Sequence, residues 1–346
     1  MIAISALTLV PGVVGGSETY VRELLRGLSR VGTTTYRVLL PSAAAEAGDG
    51  LPTVVVDGQR GGRMLSMARV AADPRYSRLF EGMQVVHYPL TVPIPRTKLP
   101  VLVTLHDVQH LDLPEMFSRA ERAYRSVAYD RAARSADRVI VVSEFVRQRA
   151  IERLGLAPDD VIVTPLAVDR ELFHPGNAKR EQFLLYPAKP WPHKNHAVLF
   201  EAFAQLRQSH KDLRLVLTGG GTYDTVPAGV EVKGHVARAE VAALMRRAAA
   251  LVFPSLYEGF GLPPLEAMAS GCPVACSNRA SLPEVVGKAA RLFDPTDPSA
   301  IALAVEQVLA DPAPWVERGF ARVEEFDWDE TARVTEEVYF ELSTRS

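Results

Sequence analysis

Two glutamates, Glu258 and Glu266, stand eight positions apart in the segment SLYEGFGLPPLEAMASGCPV, which covers residues 255–274. An aromatic-glycine turn and two consecutive prolines separate them. Proline suits the first turn of a helix, where an N–H group would have no partner within the helix. The sequence therefore predicts a helix that begins just after Gly261 and that Gly271 ends.

The backbone amides of Phe260, Gly261 and Leu262 would then lie at the positive end of that helix, where anions bind. Gly259 and Gly261 would let a ligand approach the main chain closely. The two carboxylates accept hydrogen bonds, which suits the vicinal hydroxyls of a sugar or a ribose. The alternative is one acid favoured by the helix dipole and one ordinary surface acid.

A cationic loop, YPAKPWPHKNH at residues 186–196, contains Lys189 and Lys194, two of only seven lysines in the chain. A lysine ammonium is a compact point charge that can stabilise a diphosphate leaving group. The alternative is that both lysines face solvent and only border the loop.

A glycine loop, PGVVGGSETYV at residues 11–21, follows the first predicted strand. It places Gly15 and Gly16 before a predicted helix that Ser17 would cap. The loop is neither a G-x-G-x-x-G fingerprint nor a P-loop. By itself it indicates a turn and leaves open whether a ligand binds there.

A histidine-aspartate pair, His106 and Asp107, lies in the segment VTLHDVQH, which ends with His110. The pair follows a predicted strand, which is where ligands bind in open α/β sheets. His87, in QVVHY, is predicted to be structural or at most to line the cleft.

These loops follow apolar runs of strand length that alternate with helix-length periodic segments. Most runs are continuous in Val, Ile and Leu, as in parallel strands buried on both faces. The strands predicted in the first half are Ile2–Leu9, Tyr36–Leu40, Thr53–Val56, Gln84–Tyr88, Val101–Leu105 and Arg138–Val142. Those predicted in the second half are Phe183–Tyr186, Leu213–Thr218, Val230–Val232, Ala250–Phe253, Pro273–Cys276 and Ala290–Phe293.

Alternating strands and helices predict doubly wound parallel sheets, and two sets of about six strands predict two Rossmann-like domains. The polar segment at residues 166–182, which contains Pro and Gly, is predicted to join them. Because ligands bind outside the carboxyl ends of the strands, the loops described above are expected to line one cleft.

The composition is that of a soluble globular protein: 346 residues, 47% hydrophobic, 23% charged, with a formal net charge of -2. This balance gives no reason to expect a nucleic-acid partner, and no apolar run reaches the ~20 residues of a membrane helix. Cys272 and Cys276 are predicted to be buried, reduced thiols, which indicates a cytoplasmic location. The arginines of residues 60–78 could face an anionic membrane or lie on solvated helices.

The segment EGFGLPPLEAMASGCPV closely resembles the nucleotide-sugar site of the GT4 family of retaining glycosyltransferases, whose two acids are spaced E-x7-E. That family has the GT-B fold, in which two Rossmann-like domains face each other across a cleft. Similar segments lie where the family has them: GHV at 234–236, SLPEVVG at 281–287, FDP at 293–295 and FDWDETA at 326–332.

The resemblance implies an α/β protein with three parts. Residues 1–170 would form the acceptor-side Rossmann-like domain, and residues 171–325 the domain that binds the nucleotide sugar. Residues 326–346 would form a C-terminal helix that packs back on the N-terminal domain.

The resemblance also implies roles for the residues of the second half. Glu258 would contact the hydroxyls of the donor sugar, and Glu266 would bind the ribose. Lys194 would meet the diphosphate, while Lys189 replaces an arginine and keeps its charge without its bidentate fork. The amides of residues 260–262 would lie by the sugar and the diphosphate.

In the remaining loops, Gly15 and Gly16 would close over the donor phosphates, and Gly219, in the segment TGGG, would lie near the nucleotide. His106 would donate a hydrogen bond to the donor sugar, and Asp107 would orient the acceptor or a loop. The catalytic set implied by the family is thus His106, Asp107, Lys194 and Glu258.

The implied activity is retaining transfer of a hexose, of mannose or glucose type, from a nucleotide-diphosphate sugar to an acceptor hydroxyl. The acceptor would be a glycan, a lipid-linked intermediate or a small molecule in bacterial glycan, glycolipid or natural-product assembly, and neither a cofactor nor a metal would be required. Two alternatives stay open. One is a non-catalytic protein that binds nucleotide sugars, and the other is a Rossmann-type oxidoreductase, against which the missing G-x-G-x-x-G argues.

Overall fold

The chain folds into two compact units in the computed structural model, which describes residues 1–12, 15–56, 70 and 73–344. The first unit comprises Met1–Leu166 together with Asp327–Ser346, and the second comprises Ala167–Phe326. The chain therefore leaves the first unit once and returns to it for its last helix. The boundaries expected from the sequence, after residues 170 and 325, lie within a few residues of these.

The first unit is built on a parallel sheet of seven described strands, in the order β3-β2-β1-β4-β5-β6-β7. The strand order reverses between β1 and β4, and such a switch point opens a crevice at the carboxyl ends of the strands. The strands are β1 (Ile2–Ser5), β2 (Tyr36–Pro41), β3 (Thr53–Val56), β4 (Val85–Tyr88), β5 (Val101–Leu105), β6 (Arg138–Val141) and β7 (Val161–Val163).

The second unit has a parallel sheet of six described strands, in the order β10-β9-β8-β11-β12-β13. Here the order reverses between β8 and β11, so the loops after these two strands share the switch point. The strands are β8 (Phe183–Pro187), β9 (Arg214–Thr218), β10 (Val230–Val232), β11 (Ala250–Phe253), β12 (Val274–Ser277) and β13 (Arg291–Phe293).

Helices connect many of the successive strands in both units and cover the sheets. The α-helices of the described residues are α1 (Gly16–Val31), α2 (Gln109–Asp112), α3 (Arg119–Arg125), α4 (Arg131–Ser135), α5 (Glu144–Leu154), α6 (His196–Ser209), α7 (Arg238–Arg247), α8 (Leu262–Ala269), α9 (Leu282–Val286), α10 (Pro298–Ala310), α11 (Ala313–Val323) and α12 (Trp328–Thr344). Every residue of β1, β4, β6, β11 and β12 is buried, as expected for parallel strands covered on both faces.

One strand prediction needs correction, and one strand was not predicted. The apolar run from Ile2 continues to Leu9, but β1 ends at Ser5 and the chain turns, with Leu9 N–H donating to the Ala6 carbonyl at 2.9 Å. Leu9 is nevertheless 1% exposed, and an apolar residue in a buried turn cannot be distinguished from one in a strand by hydrophobicity. The short edge strand Val161–Val163 was not predicted, since three residues carry too little pattern.

The last helix, α12, packs along α1 within the first unit. Their approach is close: a Cβ at Gly27 would lie 2.9 Å from Ala332 Cβ and 3.0 Å from the Trp328 carbonyl oxygen. An ion pair between Arg30 and Asp329, at 2.5 Å, joins the same two helices at the surface. The C-terminal segment is therefore part of the first unit's core.

A buried polar chain also fixes α12. His87, on β4, is hydrogen bonded through Nδ1 to the Tyr339 hydroxyl (2.7 Å) and through Nε2 to Thr104 Oγ1 (2.8 Å). Thr104 is in turn hydrogen bonded to the Tyr20 hydroxyl of α1 at 3.0 Å. The structural role predicted for His87 is confirmed, because its ring is fully buried and both ring nitrogens have partners within the core.

Candidate functional site

The switch point of the second sheet brings together the two loops that the sequence singled out. Lys194 follows β8 and Glu258 follows β11, and these strands are neighbours in the sheet. The loops are joined directly, since Leu256 N–H donates to the His193 carbonyl at 2.7 Å. Residues 64 positions apart in the chain therefore meet at one end of the sheet.

Lys194 and Glu258 form an ion pair, with Nζ 2.5 Å from Oε1. Both side chains are largely buried, at 13% and 14% exposure. The backbone of Lys194 is also held, because the Tyr186 hydroxyl donates to its carbonyl at 2.6 Å. A charge-assisted bond of this kind is stronger than a neutral one. It holds an ammonium and a carboxylate side by side where the loops after β8 and β11 meet.

Asn195 anchors the cationic loop from its other side. It adopts the left-handed conformation (φ 60°), which asparagine tolerates better than most residues, and α6 begins directly after it. Its Nδ2 donates to the carbonyls of Pro254 (3.2 Å) and Pro295 (2.7 Å). Asn195 thus joins the cationic loop to the loop after β11, a role that was not identified from the sequence.

The turn between Glu258 and Gly261 is held in place by Ser281. The Ser281 hydroxyl lies 2.9 Å from the Glu258 carbonyl and 2.7 Å from the Phe260 carbonyl, and can donate to either. Gly261 has φ 109°, and a Cβ there would lie 2.6 Å from Leu282 Cδ2. The segment SLPEVVG, noted only for its resemblance to the family, therefore supplies the residues that shape this turn.

Helix α8 starts as the sequence predicted, with Gly261 as its N-cap and prolines in its first turn. Proline has no N–H, so the amides of Gly261 and Leu262 are the donors that the helix start leaves without a helical partner. Ser270 is the C-cap and Gly271 follows with φ 72°, so the predicted end of the helix is confirmed.

Glu266 lies inside α8, and its side chain is 12% exposed. Burial raises the pKa of Glu266, and Asp169 raises it further, while the nearby Arg238 guanidinium lowers it. Arg238 Nη2 lies 3.3 Å from Glu266 Oε1. Sequence analysis did not single out Arg238, because one arginine at the start of α7 carries no recognisable motif.

Gly219 lies beside the cationic loop. A Cβ at this position would come within 2.8 Å of the carbonyl carbon of Ala188 and 2.9 Å of Lys189 N, and its φ is 111°. Glycine is therefore required here for the close packing of two backbones. The Lys189 ammonium lies 5.4 Å from the centroid of the Trp191 ring.

In the first unit, the predicted glycine loop lies at the start of α1. The N-cap is Gly15, with φ 57°, so the prediction that Ser17 caps this helix is wrong. A Cβ at Gly15 or Gly16 would meet no atom within 4 Å, which leaves open space on this side of the loop. Val13 and Val14 of the same loop lie outside the described residues.

His106 lies after β5 with its imidazole partly buried. Its Nε2 is 2.8 Å from the Pro89 carbonyl, which can only accept, so the proton is on Nε2. Burial lowers the pKa of His106, which keeps the ring neutral and leaves Nδ1 as an acceptor. In this arrangement Nε2 donates to Pro89, and the hydrogen bond from this ring to the donor sugar that the resemblance implies stays a prediction.

Asp107 is held within its own unit. Its Oδ1 accepts from Gln109 N–H at 3.0 Å and lies 3.5 Å from Arg125 Nη1. Nearby, His110 Nε2 donates to the buried Asp130 carboxylate at 2.8 Å. Through its contacts with Gln109 and Arg125, Asp107 stabilises the loop that contains His106 and His110.

Three further observations are made on the described residues. Within the part of the chain that the structure describes, no set of three or more His, Cys, Asp or Glu side chains could hold a metal ion. Nor does any described helix combine the length and apolar character needed to span a membrane. Cys272 and Cys276 are buried free thiols, as predicted.

Comparison with known families matches both halves of the chain. The model described as Glycosyl transferases group 1 matches residues 168–319, and that described as Glycosyltransferase Family 4 matches residues 14–172. O-antigen chain mannosyltransferase B of Escherichia coli is 30% identical over 265 residues, which cover 69% of this chain and 69% of that protein.

Solved structures agree in fold. Sucrose-phosphate synthase from Thermosynechococcus elongatus superposes with a TM-score of 0.76 at 20% identity, covering 100% of this chain and 99% of the other. Anabaena HepE in complex with UDP-glucose superposes with a TM-score of 0.74 at 17% identity, covering 98% and 99%. Both comparisons show the GT-B fold that the sequence predicted.

Proposed function

Because the chain belongs to the GT4 family of glycosyltransferases, we propose that it transfers a hexose from a nucleotide-diphosphate sugar to an acceptor hydroxyl with retention of anomeric configuration. The observation that carries this proposal is the Lys194–Glu258 pair beside the start of α8. A sugar hydroxyl bonded to Glu258 would leave the diphosphate of the same donor within reach of Lys194 and of the free amides of Gly261 and Leu262.

The donor binds along the switch point of the second sheet. Glu258 accepts hydrogen bonds from the hexose hydroxyls, and Glu266 accepts them from the ribose. Lys189 adds positive charge to the loop that meets the diphosphate, and Gly219 keeps that loop close to the sheet. Mannose is the favoured hexose, since the curated relative described above is a mannosyltransferase.

In the reaction, the acceptor hydroxyl attacks the anomeric carbon on the face from which the diphosphate departs. The bond from that carbon to the phosphate oxygen breaks as the new glycosidic bond forms, and the acceptor proton passes to a phosphate oxygen. Lys194 and the start of α8 stabilise the charge of the leaving group, so a divalent metal is not required. To the first unit we assign the roles that the resemblance implies: Gly15 and Gly16 for the donor phosphates, the backbone carbonyl of His106 for the developing positive charge, and Asp107 for orienting the acceptor or a loop.

A binding panel tests the donor class. Thermal unfolding is measured with GDP-mannose, UDP-glucose, ADP-glucose and dTDP-glucose, because a ligand that binds only the folded protein raises the unfolding temperature by mass action. GDP-mannose or UDP-glucose is expected to raise the unfolding temperature more than the matching free nucleoside diphosphate does. In the Glu258→Gln variant, most of this difference in unfolding temperature is expected to be lost.

Turnover is then measured with the donor so identified and with mannose-terminated glycans, including lipid-linked ones, as acceptors. Proton NMR of the product reports the anomeric configuration, and activity in excess EDTA reports the metal requirement. An inverted product, or complete loss of activity in EDTA that Mg²⁺ restores, would contradict the mechanism. Binding of the donor without transfer to any acceptor would support the non-catalytic alternative.

A further inference from the structure

The ribose-binding acid of the proposed donor site has a cationic partner of its own. Glu266 is buried, and the Arg238 guanidinium meets its Oε1 at 3.3 Å while keeping 43% of its own side-chain surface exposed. Glu266 Oε2 is not part of this contact. A carboxylate held through one oxygen presents the other in a defined direction.

Arg238 is itself held in place by an aromatic ring. Its guanidinium carbon lies 5.3 Å from the centroid of Phe173, which is 1% exposed, and a cation over a ring face is attracted by the ring quadrupole. Phe173 is fixed by the turn that begins at Asp169, since Phe173 N–H donates to the Asp169 carbonyl at 2.8 Å. Arg238 therefore packs against an aromatic ring that is itself held in a fixed position.

The position of Arg238 in its helix points to a role outside the helix. It is the first residue of α7, and the N-cap before it, Ala237, makes no side-chain cap bond. A cation at a helix start opposes the helix dipole, which favours acids there. Helix stability therefore does not explain an arginine at this position, whereas its contact with Glu266 does.

Two charged groups act on Glu266 in opposite directions. Asp169, whose Oδ1 accepts from the amides of Glu171 and Leu172 at 3.2 Å each, raises the pKa of Glu266, as burial does. Arg238 lowers it. Without the arginine, a buried carboxylate next to another acid would take up a proton more readily and would lose acceptor capacity.

We propose that Arg238 is a positioning residue for the nucleoside: it holds Oε1 of Glu266 so that Oε2 accepts hydrogen bonds from the 2′- and 3′-hydroxyls of the donor ribose. The inference rests on the proposed function, in which Glu266 binds that ribose. It makes the site selective for ribonucleotides, since a 2′-deoxyribose lacks one of the two donors.

The test compares the binding of nucleoside diphosphates to four proteins by calorimetry: wild type, Arg238→Gln, Arg238→Lys and Arg247→Gln. Arg247 is the matched control, because it lies on the same helix but pairs with Glu181. The probes are GDP, UDP and their 2′-deoxy counterparts, each at pH 6 and pH 8.

Arg238→Gln is expected to weaken binding of the preferred ribonucleotide about tenfold at pH 8, the effect of losing one charge-assisted contact. The loss is expected to grow at pH 6, because the pKa of Glu266 rises when the arginine is removed. Discrimination against the 2′-deoxynucleotide is expected to shrink, and kcat at saturating donor is expected to stay near the wild-type value. Arg238→Lys should recover much of the affinity, and Arg247→Gln should match wild type.

The outcomes separate the two proposals. If wild type binds ribonucleotide and Glu266→Gln weakens binding while Arg238→Gln does not, the positioning role is wrong and the donor site stands. The same holds if Arg238→Gln lowers affinity for ribo- and deoxyribonucleotides equally at both pH values. If wild type binds no nucleoside diphosphate, both proposals fall.

Discussion

At the scale of single residues, each acid of the proposed donor site is matched by one cation. Lys194 pairs with Glu258, and Arg238 pairs with Glu266. A largely buried pair is costly to break from one side, because the remaining charge stays away from water without a partner. Binding residues in this site therefore also affect stability, and the two effects have to be measured separately.

Lys194→Ala is expected to lower turnover more than tenfold, because the departing diphosphate loses its nearest ammonium. It is also expected to lower the unfolding temperature, because Glu258 keeps its charge without a partner. The double variant Lys194→Ala/Glu258→Gln should regain stability but not turnover. Kinetic assays and thermal unfolding are run in parallel, with Lys211→Ala, an exposed lysine of the same unit, as the control. Unchanged kinetics in Lys194→Ala would remove this residue from the site.

At the scale of elements, the loops after β8 and β11 form a rigid support for the site. Asn195 joins them through the Pro254 carbonyl and also bonds the Pro295 carbonyl after β13, and Ser281 holds the turn that leads into α8. The helix start is well defined because Gly261 supplies a backbone angle that other residues rarely adopt. These contacts fix the direction of the Gly261 and Leu262 amides, which have no partner within the helix.

Gly261→Ala is expected to destabilise the protein by about 1–3 kcal/mol, the cost of a non-glycine residue in a strained conformation. The new Cβ would also meet Leu282 Cδ2 at 2.6 Å, so the helix start should shift and affinity for the nucleotide sugar should fall. Chemical denaturation measures the first effect and calorimetry the second.

The stability control is Gly16→Ala, because a Cβ there meets no atom within 4 Å and no positive φ is required. Its unfolding free energy is expected to stay at or above the wild-type value. A Gly261→Ala protein as stable as wild type, with full affinity, would show that the turn is not needed.

At the scale of the whole molecule, the first unit is closed by the end of the chain. Helix α12 completes its core, and the hydrogen-bonded set of Tyr339, His87, Thr104 and Tyr20 links that helix to β4, β5 and α1. His87 is fully buried, and burial lowers its pKa from 6.5 to about 3. The folded state therefore holds this imidazole neutral over a range in which the unfolded chain would protonate it.

This difference predicts that the protein loses stability as the pH falls. The unfolded state binds a proton at His87 below about pH 6.5 and the folded state does not, so acid favours unfolding. Between pH 7 and pH 5 this one group should cost about 2 kcal/mol. Urea denaturation of wild type and His87→Gln at both pH values measures it, with the exposed His174→Gln as the control.

The His87→Gln variant is expected to show a smaller drop in unfolding free energy than wild type by about that amount. Its own loss of two hydrogen bonds lowers stability at both pH values and cancels in the comparison. Equal drops in both proteins would mean that His87 is not the residue that makes the fold sensitive to acid.

The sequence by itself determined the architecture and most of the groups that the proposed donor site uses. Continuous apolar runs predicted buried parallel strands, and the two prolines and Gly271 predicted the limits of α8, because these signals arise from the local chemistry of each segment. The acids and lysines could be identified because their types and spacing are unusual. Ser17 was wrongly predicted as a cap, since Gly15 can take a backbone angle that makes it the N-cap instead.

Only the tertiary structure decided which of these groups meet. Distant segments supply the partners of Glu258 and Glu266, the Ser281 support and the Pro89 carbonyl that accepts a hydrogen bond from His106 Nε2. A contact between segments far apart in the chain leaves no periodic trace in either one, because it depends on the order of strands in the sheet. The sequence thus specified the chemical groups, and the strand order specified their neighbours.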